Sequence, residues 1–192
     1  MAVIAITGDI GAGKSTVSKF LAEKLGCERL DADVVAKSLW LRDDVKAQAV
    51  SRWGEKILDN SGKILIPEIA KIIFNDETEN KFCNSMLHPL VMSELEQQSQ
   101  ENKNIVLEIP LLFEAGSSFD WINFVVYVTA NFDVRAERCR VSRGWSIDEL
   151  MRREKMLLPQ SEKISMSDYI IHNGGNISEL EGEIHEIIRN LH

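Results

Sequence analysis

Ala2-Val3-Ile4-Ala5-Ile6-Thr7-Gly8-Asp9-Ile10-Gly11-Ala12-Gly13-Lys14-Ser15-Thr16 is the stretch whose reading decides the fold. Its first five residues are apolar and mostly β-branched, as in a strand buried on both faces, and Gly8 to Ser15 then fit GxxxxGK[ST] in full. Glycines reach backbone dihedrals closed to other residues, so successive N–H groups can turn inward around a phosphate. Val17, Phe20, Leu21 and Leu25 follow at helical spacing, which predicts a helix beginning near Lys14 with the positive end of its dipole at the loop. Lys14 can then reach the β and γ phosphates, and the Ser15 hydroxyl can ligate Mg²⁺. The expectation is a nucleoside-triphosphate cradle formed by Gly11, Ala12, Gly13, Lys14, Ser15 and Thr16.

Three more apolar, β-branched runs stand further along: Ile105 to Ile109, Phe124 to Val128, and Tyr169 to Ile171; a weaker strand is read from Cys27 to Leu30. Apolar strands alternating with helix-period segments imply an α/β fold, a parallel sheet with helices on both faces. The interval from 34 to 104 holds no convincing strand. Its apolar residues, among them Ile69, Ile72, Ile73 and Met86, Leu87, Leu90, Val91, recur at helical spacing, so a helical insertion is expected there. A last helix is predicted from Ile177 to Leu191, capped by Asn176 or Ser178.

The 192 residues suit one domain carrying an insertion, and a chain of this size can bury about 70% of its surface. With 44% hydrophobic and 27% charged residues it is neither disordered nor fibrous. A net charge of −8 argues against broad attraction to nucleic acid or an anionic membrane. The stretch from Arg135 to Lys163 reverses that sign, carrying +3 and leaving −11 elsewhere, which suits a small anionic ligand held against one element. Cys27, Cys83 and Cys139 are far apart and form no CxxC, so free thiols in a reducing compartment are expected. The longest stretches without a charge are too short for a bilayer, and the beginning of the chain does not read as a signal peptide. The expected location is the cytoplasm.

Asp31 and Asp33 follow the weak second strand, where the carboxyl end of an open parallel sheet lines the ligand crevice. One carboxylate there can take the proton of an attacking hydroxyl and the other can help hold a hydrated Mg²⁺. Glu108 ends the next strand, where an acid can act on the metal's water shell. Glu114 follows the apolar Leu111-Leu112-Phe113 and is a weaker candidate. Arg135, Arg138, Arg140 and Arg143 are spaced along a helix and its end, and a guanidinium can neutralise charge on a transferring phosphoryl group. Gly144, Trp145 and the charged residues after them read as a cover that excludes water, a lid over 143–163.

Taken in order, Thr7 to Thr16, Asp31-Ala32-Asp33, His88-Pro89, Glu108-Ile109-Pro110-Leu111-Leu112-Phe113-Glu114, Arg143-Gly144-Trp145-Ser146, Asp168-Tyr169-Ile170-Ile171 and Asn173-Gly174 resemble the dephospho-coenzyme A kinases over nearly the whole chain. The resemblance implies a P-loop kinase with a five-stranded parallel sheet, a helical region that holds the coenzyme A portion, and an arginine-bearing lid. It implies transfer of the ATP γ-phosphate to the ribose 3′-hydroxyl of dephospho-coenzyme A, with Mg²⁺. By the same resemblance Asp33 serves the acceptor hydroxyl, Lys14 and Arg143 act on the phosphoryl group, and Asn173 and Gly174 lie by the adenine. Thr7, Asp31, His88 and Glu108 join Asp33 on the acceptor side. Four positions depart from the family pattern: Asp9 stands where Gly is usual, Glu108 where Asp is commoner, Leu157 where Gln is usual and Ile66 where Arg is common. Asp9 in particular sets a negative charge beside the phosphate site, which weakens nucleotide binding if the carboxylate faces inward.

Two rivals share the loop. Shikimate kinases also pair it with Asp-x-Asp, but carry a Gly triplet after a central strand, where this chain has Pro110-Leu111-Leu112. A GTP-dependent switch needs Asn-Lys-x-Asp, and neither Asn80-Lys81-Phe82-Cys83 nor Asn102-Lys103-Asn104-Ile105 supplies the Asp.

Overall fold

The computed structural model describes residues 2–101, 104–114, 116 and 118–190. Five strands, β1 (Ala2–Gly8), β2 (Glu28–Asp31), β3 (Asn104–Glu108), β4 (Phe124–Thr129) and β5 (Tyr169–His172), form one sheet in the order β2-β3-β1-β4-β5. Every pairing is parallel, with Ile4 opposite Val106 on one side and Phe124 on the other. Parallel strands need crossovers, and those from β1 to β2, β2 to β3 and β4 to β5 carry helix.

The first crossover is α1 (Lys14–Leu25), which buries Val17, Leu21 and Ala22. Together with α9 (Ile177–Asn190) it supplies one core layer, in which Ile4, Ile6, Val106, Val126, Val128 and Ile171 of the sheet meet Leu180, Ile184 and Ile187 of α9. Val3, Ala5, Leu107 and Tyr127, which alternate with these along their strands, are buried as well. Burial on both faces is what the unbroken apolar runs require. The cap of α9 is Asn176: its Oδ1 accepts from the Glu179 amide at 3.0 Å and its Nδ2 donates back to Glu179 Oε1 at 3.0 Å. Leu191, where the sequence reading ended this helix, lies outside the described residues.

The second strand occupies Glu28–Asp31, one residue later than the apolar pattern indicated, and α2 (Ala32–Leu39) follows with no loop between. Asp31 therefore ends a strand while Asp33 sits in the first turn of a helix. Ala32–Gln97 pack as a compact unit of their own, and the remaining residues form the sheet unit. Within Ala32–Gln97, α3 (Asp43–Trp53), α4 (Ile66–Asn75) and most of α5 (Glu77–Gln100) gather around Val45, Ala49, Ile57 and Ile69, all nearly inaccessible. Trp53 lies 6.5 Å from Trp40 and 5.6 Å from Phe82 between ring centroids, and its indole N–H donates to Glu79 at 2.8 Å. These tryptophans are packing residues of that unit.

The last part of the sheet unit contains α6 (Phe132–Arg143), α7 (Ile147–Glu154) and α8 (Gln160–Ser165). Ser146 caps α7, accepting from the Glu149 amide at 3.2 Å. Arg152 and Arg153 both clasp Glu149 and hold its carboxyl down to about 2.

Candidate active site

The loop between β1 and α1 contains glycines that admit no side chain, among them Gly8 and Gly13. A Cβ on Gly8 would lie 2.0 Å from the Val128 carbonyl oxygen, because β1 and β4 approach closely where the chain leaves the sheet with φ +142°. Gly13, at φ +88°, is the residue before α1, and a Cβ there would meet the Asn173 amide nitrogen at 2.3 Å. Asn173, buried at the end of β5, donates to the Ala12 carbonyl at 2.7 Å. Arg138 of α6 donates to the same carbonyl at 3.1 Å. The Ala12 carbonyl is thus held by two side chains from much later in the sequence, a grip that suits a loop whose amides face an anion.

Lys14 donates to the carbonyls of Gly8 at 3.0 Å and Asp9 at 2.9 Å. Its pKa is lowered to about 8, chiefly by removal of the ammonium from water; Glu108 and Asp9 oppose the shift, and Arg143 and Lys163 add to it. Ser15 donates to Glu108 Oε1 at 2.5 Å, while Glu108 Oε2 accepts from Ser18 at 2.8 Å and Arg29 at 2.7 Å. Glu108 is 5% exposed and ends β3, beside Asp31 at the end of β2. Arg29 also faces Asp31 at 3.6 Å, so one guanidinium bridges two carboxylates at the carboxyl end of the sheet. Ser15 and Glu108 together present a hydroxyl and a carboxylate, hard oxygens of the kind Mg²⁺ takes alongside phosphate and water. Among the described residues no cluster of three or more His, Cys, Asp or Glu is placed to hold a metal ion.

The Asp9 carboxylate does not face the cradle. It is 6% exposed and turned toward β4, where Oδ1 accepts from the Tyr127 hydroxyl at 2.5 Å and Oδ2 from the Thr129 hydroxyl at 2.6 Å and the Gln160 amide at 2.7 Å. Burial, then this contact with Asp9, pushes the Tyr127 phenol well above its ordinary pKa. The four arginines of α6 diverge. Arg135 is buried, donates to the carbonyls of Ala130 and Ile10, and forms an ion pair with Glu154. Arg138 grips the loop; Arg140 is exposed and paired with Glu137. Arg143 lies over Trp145 at 4.7 Å, with Arg153 on the same ring at 4.0 Å.

In the fold as a whole, this chain matches a dephospho-CoA kinase from Campylobacter jejuni with a TM-score of 0.71 at 24% identity, covering 98% of this chain and 96% of that one. A shikimate kinase from Bacteroides thetaiotaomicron matches with a TM-score of 0.57 at 18% identity, covering 99% and 98%. In sequence, the dephospho-CoA kinase of Synechocystis sp. is 33% identical over 187 residues, spanning 95% of this chain and 92% of that protein. The family model described as dephospho-CoA kinase matches residues 2–179. The chain belongs to the dephospho-CoA kinase family. It is thereby an ATP-dependent phosphotransferase of the P-loop kinase fold, the architecture that the resemblance of its ordered motifs implied.

Seen within the dephospho-CoA kinase family, the remaining residues take the following positions. The Thr7 side chain is fully buried and donates to the Pro110 carbonyl at 3.3 Å. Ser15 and Thr16 are exposed in the first turn of α1, and Gly174 lies just past β5, its amide bonded to the His172 carbonyl at 2.9 Å. Asp33 is exposed in α2 and His88 is half-buried in α5, one residue before Pro89; both belong to Ala32–Gln97. Glu114 accepts from the Leu158 amide at 3.3 Å and faces Lys163 at 3.5 Å, with its other oxygen buried and without a hydrogen bond among the described residues. Arg29, Gln160 and Lys163 were not singled out from the sequence. Arg29 had one visible signal, since it stands two residues before Asp31 in a strand and so shares its face.

Proposed function

We propose that the chain phosphorylates the ribose 3′-hydroxyl of dephospho-coenzyme A with ATP, releasing coenzyme A and ADP. The observation that carries this reading is the anion cradle with Lys14 across it and the Ser15–Glu108 pair at its edge, in a chain matching the family model from residue 2 to 179. The amides of Gly11 to Thr16 hold the triphosphate, and the Lys14 ammonium balances charge on its terminal groups. Ser15 and Glu108 are the residues that would hold Mg²⁺, which when bound neutralises negative charge on the phosphates. Asp33 accepts the proton of the 3′-hydroxyl as its oxygen forms a bond to the γ-phosphorus. The bond from that phosphorus to the β–γ bridging oxygen breaks, and ADP keeps the electron pair. Arg143 shares in neutralising the transferring group, and residues 143–163 act as a lid that keeps water from competing. Asn173 and Gly174 border the adenine. Asp31, Thr7 and His88 serve the acceptor side with Asp33, and the helices of Ala32–Gln97 take the coenzyme portion.

No helix among the described residues is long and apolar enough to cross a membrane, which accords with a cytoplasmic enzyme acting on small molecules. The test is a coupled ADP-release assay on a panel of acceptors. Dephospho-coenzyme A is expected to drive turnover, with shikimate and free adenosine inactive. Asp33→Asn is expected to lower turnover by two orders of magnitude or more with an unchanged circular dichroism spectrum. Full activity of that variant removes Asp33 from the mechanism, and turnover with shikimate alone overturns the substrate.

A further inference from the structure

Asp9 belongs to the phosphate loop through its main chain and to a different set of residues through its side chain. Its amide donates to the Val128 carbonyl at 3.0 Å, and its carbonyl accepts from Ala12 at 3.2 Å and from Lys14 at 2.9 Å. Its carboxylate meets Tyr127 and Thr129 of β4, and also Gln160, the first residue of α8. Gln160 spans both partners, since its amide nitrogen lies 3.1 Å from the Thr129 hydroxyl as well. Arg135 stands 3.9 Å from the same carboxylate, bonds the Ile10 carbonyl at 3.2 Å, and pairs with Glu154, the last residue of α7. The two helices of the proposed lid are therefore tied, one at its end and the other at its beginning, to residues 9 and 10 of the loop. Between these ties lies a cavity of about 200 Å³ lined by Asp9, Arg135, Glu154, Leu158, Gln160 and Lys163.

We propose that Asp9 and Gln160 are positioning residues for phosphoryl transfer: their contact fastens α8 to the phosphate loop, so that the cover and the cradle hold one geometry during the reaction. A carboxylate beside a triphosphate repels it in water-like surroundings, yet here two hydroxyls, an amide and a guanidinium turn that charge away from the cradle. The same contacts make the loop's backbone and the beginning of α8 a single hydrogen-bonded assembly. Misplacement of reacting groups by an ångström can cost about a hundredfold in rate, and a loosened cover admits water as a competing acceptor. The contact thus governs both the transfer rate and the partition between transfer and hydrolysis.

The proposal rests on the functional reading above, and its test separates the two. Gln160 is exposed as a residue, so Gln160→Glu is expected to fold, with its carboxylate set against that of Asp9. Expected in that variant are a roughly tenfold fall in kcat for transfer and a several-fold rise in the acceptor-independent share of ADP release, with KM for ATP changed less than about threefold. Asp9→Asn combined with Gln160→Glu restores a donor–acceptor pair and is expected to recover most of both losses. Amide hydrogen exchange over 147–165, read without acceptor, is expected to quicken in Gln160→Glu and to slow again in the double variant. Parental partition and parental exchange in Gln160→Glu, or a double variant no better than the single one, overturns the proposal. If the parent chain fails to phosphorylate dephospho-coenzyme A while exchange responds as stated, the functional reading falls and the anchoring contact stands.

Discussion

Lys14 carries the most direct prediction at the scale of one residue. Its pKa of about 8 reflects desolvation that the nearby carboxylates only partly offset, so without nucleotide the ammonium loses its proton near that pH. A triphosphate restores the charged form, and binding therefore takes up protons around and above pH 8. The affinity for ATP is expected to fall as pH rises beyond 8, and calorimetry at pH 8 in buffers of different ionisation enthalpy is expected to give heats that differ accordingly. Buffer-independent heats refute the assignment. For stability of the ligand-free chain the sign is fixed by the same shift. The unfolded chain binds the proton up to the ordinary lysine value of 10.5, so folding gains stability as pH rises from about 8 to 10.5 and lacks that contribution below 8. Gly8 carries a second prediction. Gly8→Ala drives a methyl group into the Val128 carbonyl of the adjoining strand, where the backbone has no room to move, and is expected to cost about 3 kcal/mol or more in urea unfolding.

Among the elements, α9 shows how far a sequence pattern reaches. Spacing left Asn176 and Ser178 as alternative caps, and the reciprocal hydrogen bonds between Asn176 and Glu179, three residues apart, decide for Asn176. Asn176→Ala is expected to cost about 1 kcal/mol, measurable as a shift in the chemical-denaturation midpoint with no effect on the slope. The boundary between β2 and α2 was less legible, because Arg29 and Asp31 are polar residues in a strand. They stay there because Glu108, on the neighbouring strand, gives the guanidinium a partner. A propensity argument sees two residues that disfavour a strand; the ion pair that reverses the judgement depends on a residue 79 positions away. The arginines of α6 teach the same lesson. Their spacing said that they share a helix, but not that Arg138 would hold the Ala12 carbonyl or that Arg135 would be buried beneath the lid residues.

For the molecule as a whole, nucleotide binding and folding are linked. Mg·ATP at a hundred times its Kd is expected to add about 2.7 kcal/mol to the unfolding free energy, a shift in Tm of roughly 5–10 °C for a chain of this size. Lys14→Ala is expected to abolish that shift in a thermal scan while its own ligand-free Tm stays at or above the parent's, since it removes a desolvated ammonium. Loss of the ligand-free fold would instead make Lys14 a structural residue. What the sequence by itself determined is the set of features that depend on near neighbours: the alternation of buried strands and helices, the glycine-rich loop between the first pair, the place where the last helix begins and the ordered motifs that mark the family. Only the tertiary structure decided which way Asp9 faces, which guanidinium bridges Asp31 and Glu108, and how the loop is held from behind by Asn173 and from the side by Gln160. Periodicity and backbone dihedral preference act over a few residues and leave a trace at fixed spacing. A buried charge is settled by whichever donors the packed sheet and helices bring to it, and those come from anywhere in the chain.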